Sequence, residues 1–321
     1  MAEGGFQVGE LAKFMFCDDP VEENITIESL NTNEALALTA ETFAKAGKVV
    51  IAEAAFNYEN LLIRADIVVK EGKNISLYEV KSKSFKGDEV DSTDSFLSFK
   101  GKPNESVSSN WIPYLYDLAF QKYVITKSCP GFSVKSHLVL ANETAKATID
   151  GLNQLFQIEK NGTRTKVKIK EGLKSEDLGA PVLVTINLDD LIDNIWHTYK
   201  TPVTYGKDLS FEDYIKLCSA TYEEDVRIFA PVSSACKDCA YQVKPGKDEG
   251  KKDGLKECWK NRTGYSDDLL TKPFSFALWQ GKTDNQIEGG FFLLENIPEE
   301  SIVSKTKKKA IEEKTGLNRE E

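Results

Sequence analysis

Three strand-like runs follow one another directly: VVIAEAAFNY at 49–58, LLIRADIVVK at 61–70 and NISLYEVKSK at 74–83. The connections between them, Glu59-Asn60 and Glu71-Gly72-Lys73, are short and turn-forming, so the runs must pair antiparallel as two hairpins in series. A helical pattern precedes them. NTNEALALTAETFAKAG, at 31–47, has Asn31 or Thr32 as its cap and Gly47 where a C-terminal glycine belongs. A second helix follows, WIPYLYDLAFQKYVITKS at 111–128, with Ile112, Leu115, Tyr116, Ala119 and Tyr123 in one stripe. FSVKSHLVLA, at 132–141, then reads as another strand. The order helix, three strands, helix, strand predicts an α/β fold with a mixed sheet.

Around this centre the chain is less regular. Residues 1–14 read as a short helix with Phe6, Leu11 and Phe14 apolar, and 17–28 as an acidic, turn-like stretch. Residues 84–110 are polar and loop-like. The segments 187–200 and 211–225 read as helices, a cysteine-bearing loop spans 236–258, and 299–321 is a charged tail with Lys305, Lys307, Lys308 and Lys309. The resulting divisions are an N-terminal helical segment (1–27), a core (28–142), an accessory α/β region with the cysteines (143–298) and the tail (299–321).

Composition limits the function classes. The chain has 321 residues, 40% of them hydrophobic, which is enough to build a core. No stretch approaches ~18 uninterrupted apolar residues and no secretory signal opens the chain, so a cytoplasmic protein without a membrane partner is expected. Six cysteines in a chain this long are too sparse for a disulfide scaffold. The net charge of −10 argues against passive binding of a nucleic-acid backbone, but not against an enzyme that reaches phosphates through metal ions.

The chemistry concentrates in Asp66 and in Glu79-Val80-Lys81. Alternation along a strand puts Glu79 and Lys81 on one face, and the turn at 71–73 brings Asp66 alongside that face. Two carboxylates close together repel unless a cation joins them, and oxygen ligands suit Mg²⁺ or Mn²⁺. Lys81 could then orient or deprotonate an attacking water, or stabilise a charged transition state. A cross-strand ion pair on a solvated face is the bland alternative. The apolar neighbours Ile63, Ala65, Ile67, Val68, Leu77 and Val80 favour a site in which these charges need a partner.

This arrangement resembles the PD-(D/E)XK nuclease core. The helix segment Tyr116-Asp117-Leu118-Ala119-Phe120-Gln121-Lys122-Tyr123 is similar to the glutamine-and-tyrosine helix of its RecB-like branch, which includes CRISPR-associated exonucleases. More narrowly, AEGGFQVGELAKF, EVKSKS and DLAFQKYV look like the nuclease region of a bacterial family in which an exonuclease-like domain of unknown function usually follows. The resemblance covers roughly residues 2–300. It implies a restriction-endonuclease-like core with a helical, cysteine-bearing C-terminal extension, and metal-dependent hydrolysis of DNA, exonucleolytic or end-directed, in repair, recombination or defence. RNA is not excluded as the partner. Asp66 and Glu79 would hold Mg²⁺ or Mn²⁺, Lys81 would act on the water, and Gln121 would face the cleft. Ala65 stands where many relatives have glycine, and no histidine ends the helix at 31–46. Glu53 or Glu41 could supply a third acid, and Glu53 could equally pair with Arg64.

Cys236-Lys-Asp-Cys239 and Cys258 have metal-ligand spacing. The resemblance implies an iron–sulfur cluster here, with zinc as the rival. The fourth ligand is not identified, since Cys17 lies in an acidic setting unlike that of relatives. The resemblance also implies a chain that begins late and ends before a following domain. Cys129 and Cys218 read as buried free cysteines, and His137 and His197 as structural residues, which leaves no base for a Ser-His-Asp or Cys-His hydrolase. Lys81, Lys83, Lys86, Lys100 and Lys102 flank the site, and Arg164, Lys166, Lys168 and Lys170 alternate on an expected strand. Either set could guide a nucleic-acid strand or simply be solvated. The alternative to an enzyme is an inactive nucleic-acid-binding or structural module with a cysteine-bound metal.

Overall fold

The structure, a computed structural model, describes residues 2–89, 93–103, 105–161, 164–199, 209–226, 232–244, 246–248, 250–278 and 281–302. Among these, 2–199 with 209–225 form one compact unit, and the residues from 226 on form a second. The expected lysine run of the tail lies outside the described residues.

In the first unit, helices α1 (Ala2–Lys13) and α2 (Thr32–Phe43) precede strands β1 (Val49–Tyr58), β2 (Leu61–Glu71) and β3 (Asn74–Phe85). The short pair β4 (Leu97–Ser98) and β5 (Ser106–Val107) leads to α3 (Ile112–Ser128) and β6 (Ser133–Asn142). A hairpin of β7 (Phe156–Asn161) and β8 (Arg164–Ile169), then β9 (Leu183–Asn187), α4 (Asp189–His197) and α5 (Phe211–Glu223) complete the unit.

Five strands form the main sheet in the order β1-β2-β3-β6-β9. β1, β2 and β3 are antiparallel neighbours, β6 runs parallel to β3, and β9 closes the edge antiparallel to β6. The sheet is therefore mixed. The parallel step from β3 to β6 needs a crossover, and α3 supplies it. The three consecutive strands fall where the sequence puts them, because turns of two and three residues leave no other pairing.

Each face of the sheet is covered by helices. On one side Val68, Leu77 and Leu138 pack with Leu115, Leu118 and Ala119 of α3 and with Ile192 of α4. On the other, Ile67, Val69 and Val139 pack with Ala12, Val8 and Leu11 of α1. α3 is buried more broadly than the expected stripe. Leu118, Val124 and Ile125 are fully buried as well, because the helix lies between the sheet and α4. α2 is capped as expected, with Asn31 Oδ1 accepting from the Glu34 N–H at 3.1 Å.

Other expectations need revision. The stretch 84–110 is not merely a loop: it carries the β4–β5 pair, and Phe96 within it is fully buried against Phe85. The sheet takes its fifth strand from 183–187, so the core extends past residue 142. Cys129 is half-buried as expected, but Cys218 is exposed, because α5 buries only Phe211 and Ile215 of its residues. His137 is half-buried, stacks on Tyr78 at 4.6 Å, and places Nδ1 3.2 Å from the Leu77 carbonyl. Arg164, Lys166 and Lys168 lie on a strand, β8.

The second unit has its own small core. α6 (Gly254–Thr263) presents Leu255 and Trp259 to Leu270, Phe274 and Leu293. The short helices α7 (Thr283–Glu288) and α8 (Glu299–Ile302) follow. Among the described residues, no helix is long and apolar enough to cross a membrane.

Candidate active site at the fork between β2 and β3

β2 and β3 pair from Glu71↔Asn74 to Ile67↔Tyr78 and then part. Asp66 is the first residue past the last pair. Its Oδ2 accepts a hydrogen bond from the Val80 N–H at 2.7 Å, so a carboxylate occupies the place a backbone carbonyl would hold in a continued ladder.

The alternation of faces also breaks here. Ile63 and Ala65 pack in the same cluster as Val68, while Ile67 packs on the opposite face. β1 breaks at the matching point. Val49 and Ile51, then Ala54 and Phe56, all belong to one cluster. Between the pairs Ala52↔Ile67 and Ala54↔Ala65 lies Glu53, opposite Asp66, with φ of +57°. A glutamate in the left-handed region is held there only by its surroundings, and such strain gathers at functional sites.

Facing the fork is one side of α3. Gln121 Nε2 donates to Glu79 Oε2 at 2.7 Å and to Asp117 Oδ1 at 3.2 Å. Lys81 Nζ lies 2.5 Å from Glu79 Oε1 and 3.3 Å from Asp117 Oδ2. Glu79 and Gln121 are both buried, at 3% and 5% exposure. Gln121 Oε1 is buried without a hydrogen-bond partner.

Three acids around one ammonium leave excess negative charge in a desolvated place. Burial, then the Asp66 charge, pushes the Glu79 carboxyl up to about 8. Burial also raises Asp66, partly offset by the Val80 N–H. Burial raises Glu53, with Asp66 adding to the effect and Arg64 opposing it. For Lys81, burial alone would lower the ammonium. Glu79, Asp117 and Asp66 outweigh it and hold Lys81 above its ordinary value.

The structure thus brings Asp66, Glu79, Lys81 and Gln121 together, and sets Glu53 against Asp66. Glu53 also lies 3.9 Å from Arg64 Nε, but that guanidinium spends its strong hydrogen bonds on the Ile27 and Ser29 carbonyls, at 2.6 and 2.9 Å. Glu41 is exposed on α2. Asp117 is the site residue to which the sequence reading gave no role, although its i, i+4 spacing from Gln121 placed it on the same helical face.

Among the described residues, no group of three or more His, Cys, Asp or Glu side chains is arranged to hold a metal ion. By donor chemistry alone the carboxylates of Asp66, Glu79 and Glu53 suit a hard divalent cation, and burial is the main cause of their raised pKa values. In the second unit Cys236 lies in a 3₁₀ turn, Ser234–Asp238, where its thiol sulfur accepts from the Ser233 N–H at 3.5 Å. Cys239 ends that turn, and Cys258 sits on α6 beside the buried Trp259. The structure does not draw the three thiols into a ready ligand set.

No protein-family model, no curated protein and no solved structure matches the chain.

Proposed function

We propose that the protein is a metal-dependent nuclease of PD-(D/E)XK type, RecB-like, that hydrolyses DNA phosphodiester bonds in an exonucleolytic or end-directed manner. The observation that carries this reading is the convergence of Asp66, Glu79, Lys81 and Gln121 within hydrogen-bonding reach at the β2–β3 fork. The proposed core is restriction-endonuclease-like, extended by the cysteine-bearing second unit, and the proposed setting is cytoplasmic repair, recombination or defence. RNA remains a compatible substrate.

Asp66, Glu79 and Glu53 are the residues that would hold Mg²⁺ or Mn²⁺. When bound, the ion supplies charge neutralisation at the phosphodiester and lowers the pKa of water. The chain's own groups do the rest. Lys81, held firmly as an ammonium, is suited to stabilising negative charge on a phosphate oxygen rather than to taking a proton from water. Gln121 orients the Glu79 carboxylate through its amide N–H. Cys236, Cys239 and Cys258 are proposed as ligands of an iron–sulfur cluster or zinc that braces the second unit.

Titration of the purified protein with Mn²⁺, followed by calorimetry, tests this reading. The wild-type chain binds and Asp66→Ala does not; equal binding by both would remove the metal site from the fork. One observation favours a second reading, an inactive nucleic-acid-binding or structural module. Both oxygens of Glu79 are already engaged, one by Lys81 and one by Gln121, so the cluster can satisfy itself.

A further inference from the structure

β3 and α3 face each other in three steps that run in opposite directions along the chain. Glu79 meets Gln121 at 2.7 Å, and Lys81 meets Asp117 at 3.3 Å. At the third step Lys83 meets Tyr114, with Nζ 5.1 Å from the ring centre and 4.3 Å from the ring centre of Trp111. Tyr114, Asp117 and Gln121 stand at i, i+3 and i+7, which is one face of a helix. The first two steps are closed by hydrogen bonds and an ion pair. The third is a cation held by aromatic faces and by the Asn110 carbonyl, which accepts from Nζ at 2.9 Å. Among the described residues, no carboxylate lies within ion-pair distance of Lys83.

That position is built into the strand. The pairing of β3 with β6 shifts between Lys81 and Ser84, so Ser82 and Lys83 form an irregularity that re-aims their side chains. Ser82 lies toward Gly5 of α1, and Lys83 lies toward the start of α3. The neighbouring lysines differ. Lys86 is paired with Glu89 at 3.4 Å, and Lys100 is paired with Asp94. On a chain of net charge −10, Lys83 is a half-buried cation, one step beyond the acids, with its charge uncompensated.

We infer that Lys83 binds the phosphate next to the one presented to Asp66, Glu79 and Lys81, so the substrate is a strand with successive phosphates rather than a mononucleotide ester. This rests on the nuclease reading. The rings of Trp111 and Tyr114 keep the ammonium from folding back onto Glu79 or Asp117, and the charge is left for an anion from outside.

The test uses the full chain and a fluorescein-labelled oligothymidylate, with Ca²⁺ in place of Mg²⁺ and binding followed by anisotropy across a KCl series. Lys83→Gln is expected to bind about tenfold more weakly, as for one charged hydrogen bond, and its log–log salt slope to be shallower by about 0.7, one phosphate contact fewer. Lys83→Arg keeps the wild-type slope, which separates charge from packing. Lys216→Gln, which removes a lysine of α5 already paired with Glu212 at 3.2 Å, leaves affinity and slope unchanged. If Lys83→Gln binds with wild-type affinity and slope, the inference is overturned and the nuclease reading stands. If the wild-type chain binds no oligonucleotide at any salt, both are overturned.

Discussion

The acids of the first unit ride on central strands. Asp66 and Glu79 sit side by side on β2 and β3, and a helix face closes over them with Gln121 and Asp117. The cysteines of the second unit sit instead on a 3₁₀ turn and a ten-residue helix, and are partly exposed. In the first region the flanking strands and the side-chain hydrogen bonds to Val80 and Gln121 fix the carboxylates, whose pKa values burial raises. In the second, little besides the cluster around Trp259 fixes the thiols. A ligand set on regular elements is preorganised, whereas one on turns is completed by the ion it binds.

Removing core volume tests whether the two regions are separately built. Trp259 is fully buried in the second unit's own cluster. Trp259→Ala is expected to cost about 3–5 kcal/mol there, and to leave Mn²⁺ binding at the fork unchanged by calorimetry. Loss of Mn²⁺ binding would mean that the second unit supports the first site.

A smaller effect is expected from the ammonium. At about pH 9, above the Glu79 value of about 8, Lys81→Met leaves an ionised, buried Glu79 without its cation and should cost about 2–3 kcal/mol by urea unfolding, somewhat less than for a fully buried pair. Adding Glu79→Gln should restore part of that loss, giving a non-additive cycle. Additive costs would show that the pair is not coupled.

The acids also set a pH dependence. Between the ordinary carboxyl value of 4.5 and about 8, folded Glu79 keeps its proton while the unfolded chain has released it. The native state then binds more protons, so stability falls as pH rises through this window. Asp66, also raised, acts in the same direction. Lys81 is held above its ordinary 10.5, so its contribution is lost only at higher pH, outside this window. Glu79→Gln should flatten the decline measured by urea unfolding at successive pH values. For the same reason Mn²⁺ binding should tighten with rising pH, by up to about tenfold per pH unit, and release a proton.

The first three strands, α3 and the placing of Asp66, Glu79 and Lys81 were legible from turns and periods, whereas Gln121 was expected from the resemblance. Turns of two and three residues forced the meander and brought Asp66 alongside, strand alternation put Glu79 with Lys81, and the i, i+4 spacing placed Asp117 on the helical face of Gln121 without giving it a role. β9 was not legible. Leu183–Asn187 is too short to show a period, and its strand state is imposed by pairing with β6. The strand at 164–169 was expected from its alternating basic residues, but its partner β7 and the fully buried Phe96 were hidden in polar sequence. Nor does anything local announce the left-handed Glu53, because glutamate has no preference for that conformation and the break in β1 and β2 imposes it.

That strain gives the smallest predicted effect. Glu53→Gly, suited to φ of +57°, should raise unfolding stability by about 1 kcal/mol while weakening Mn²⁺ binding. A stability gain without loss of Mn²⁺ affinity would remove Glu53 from the site.

The most direct measurement is cleavage of end-labelled single- and double-stranded DNA with Mg²⁺ or Mn²⁺, comparing the wild-type chain with Lys81→Ala. A nuclease at the β2–β3 fork predicts metal-dependent cutting that falls by at least about a hundredfold in the variant. Equal cutting by both proteins, or none by folded wild-type protein, would contradict it.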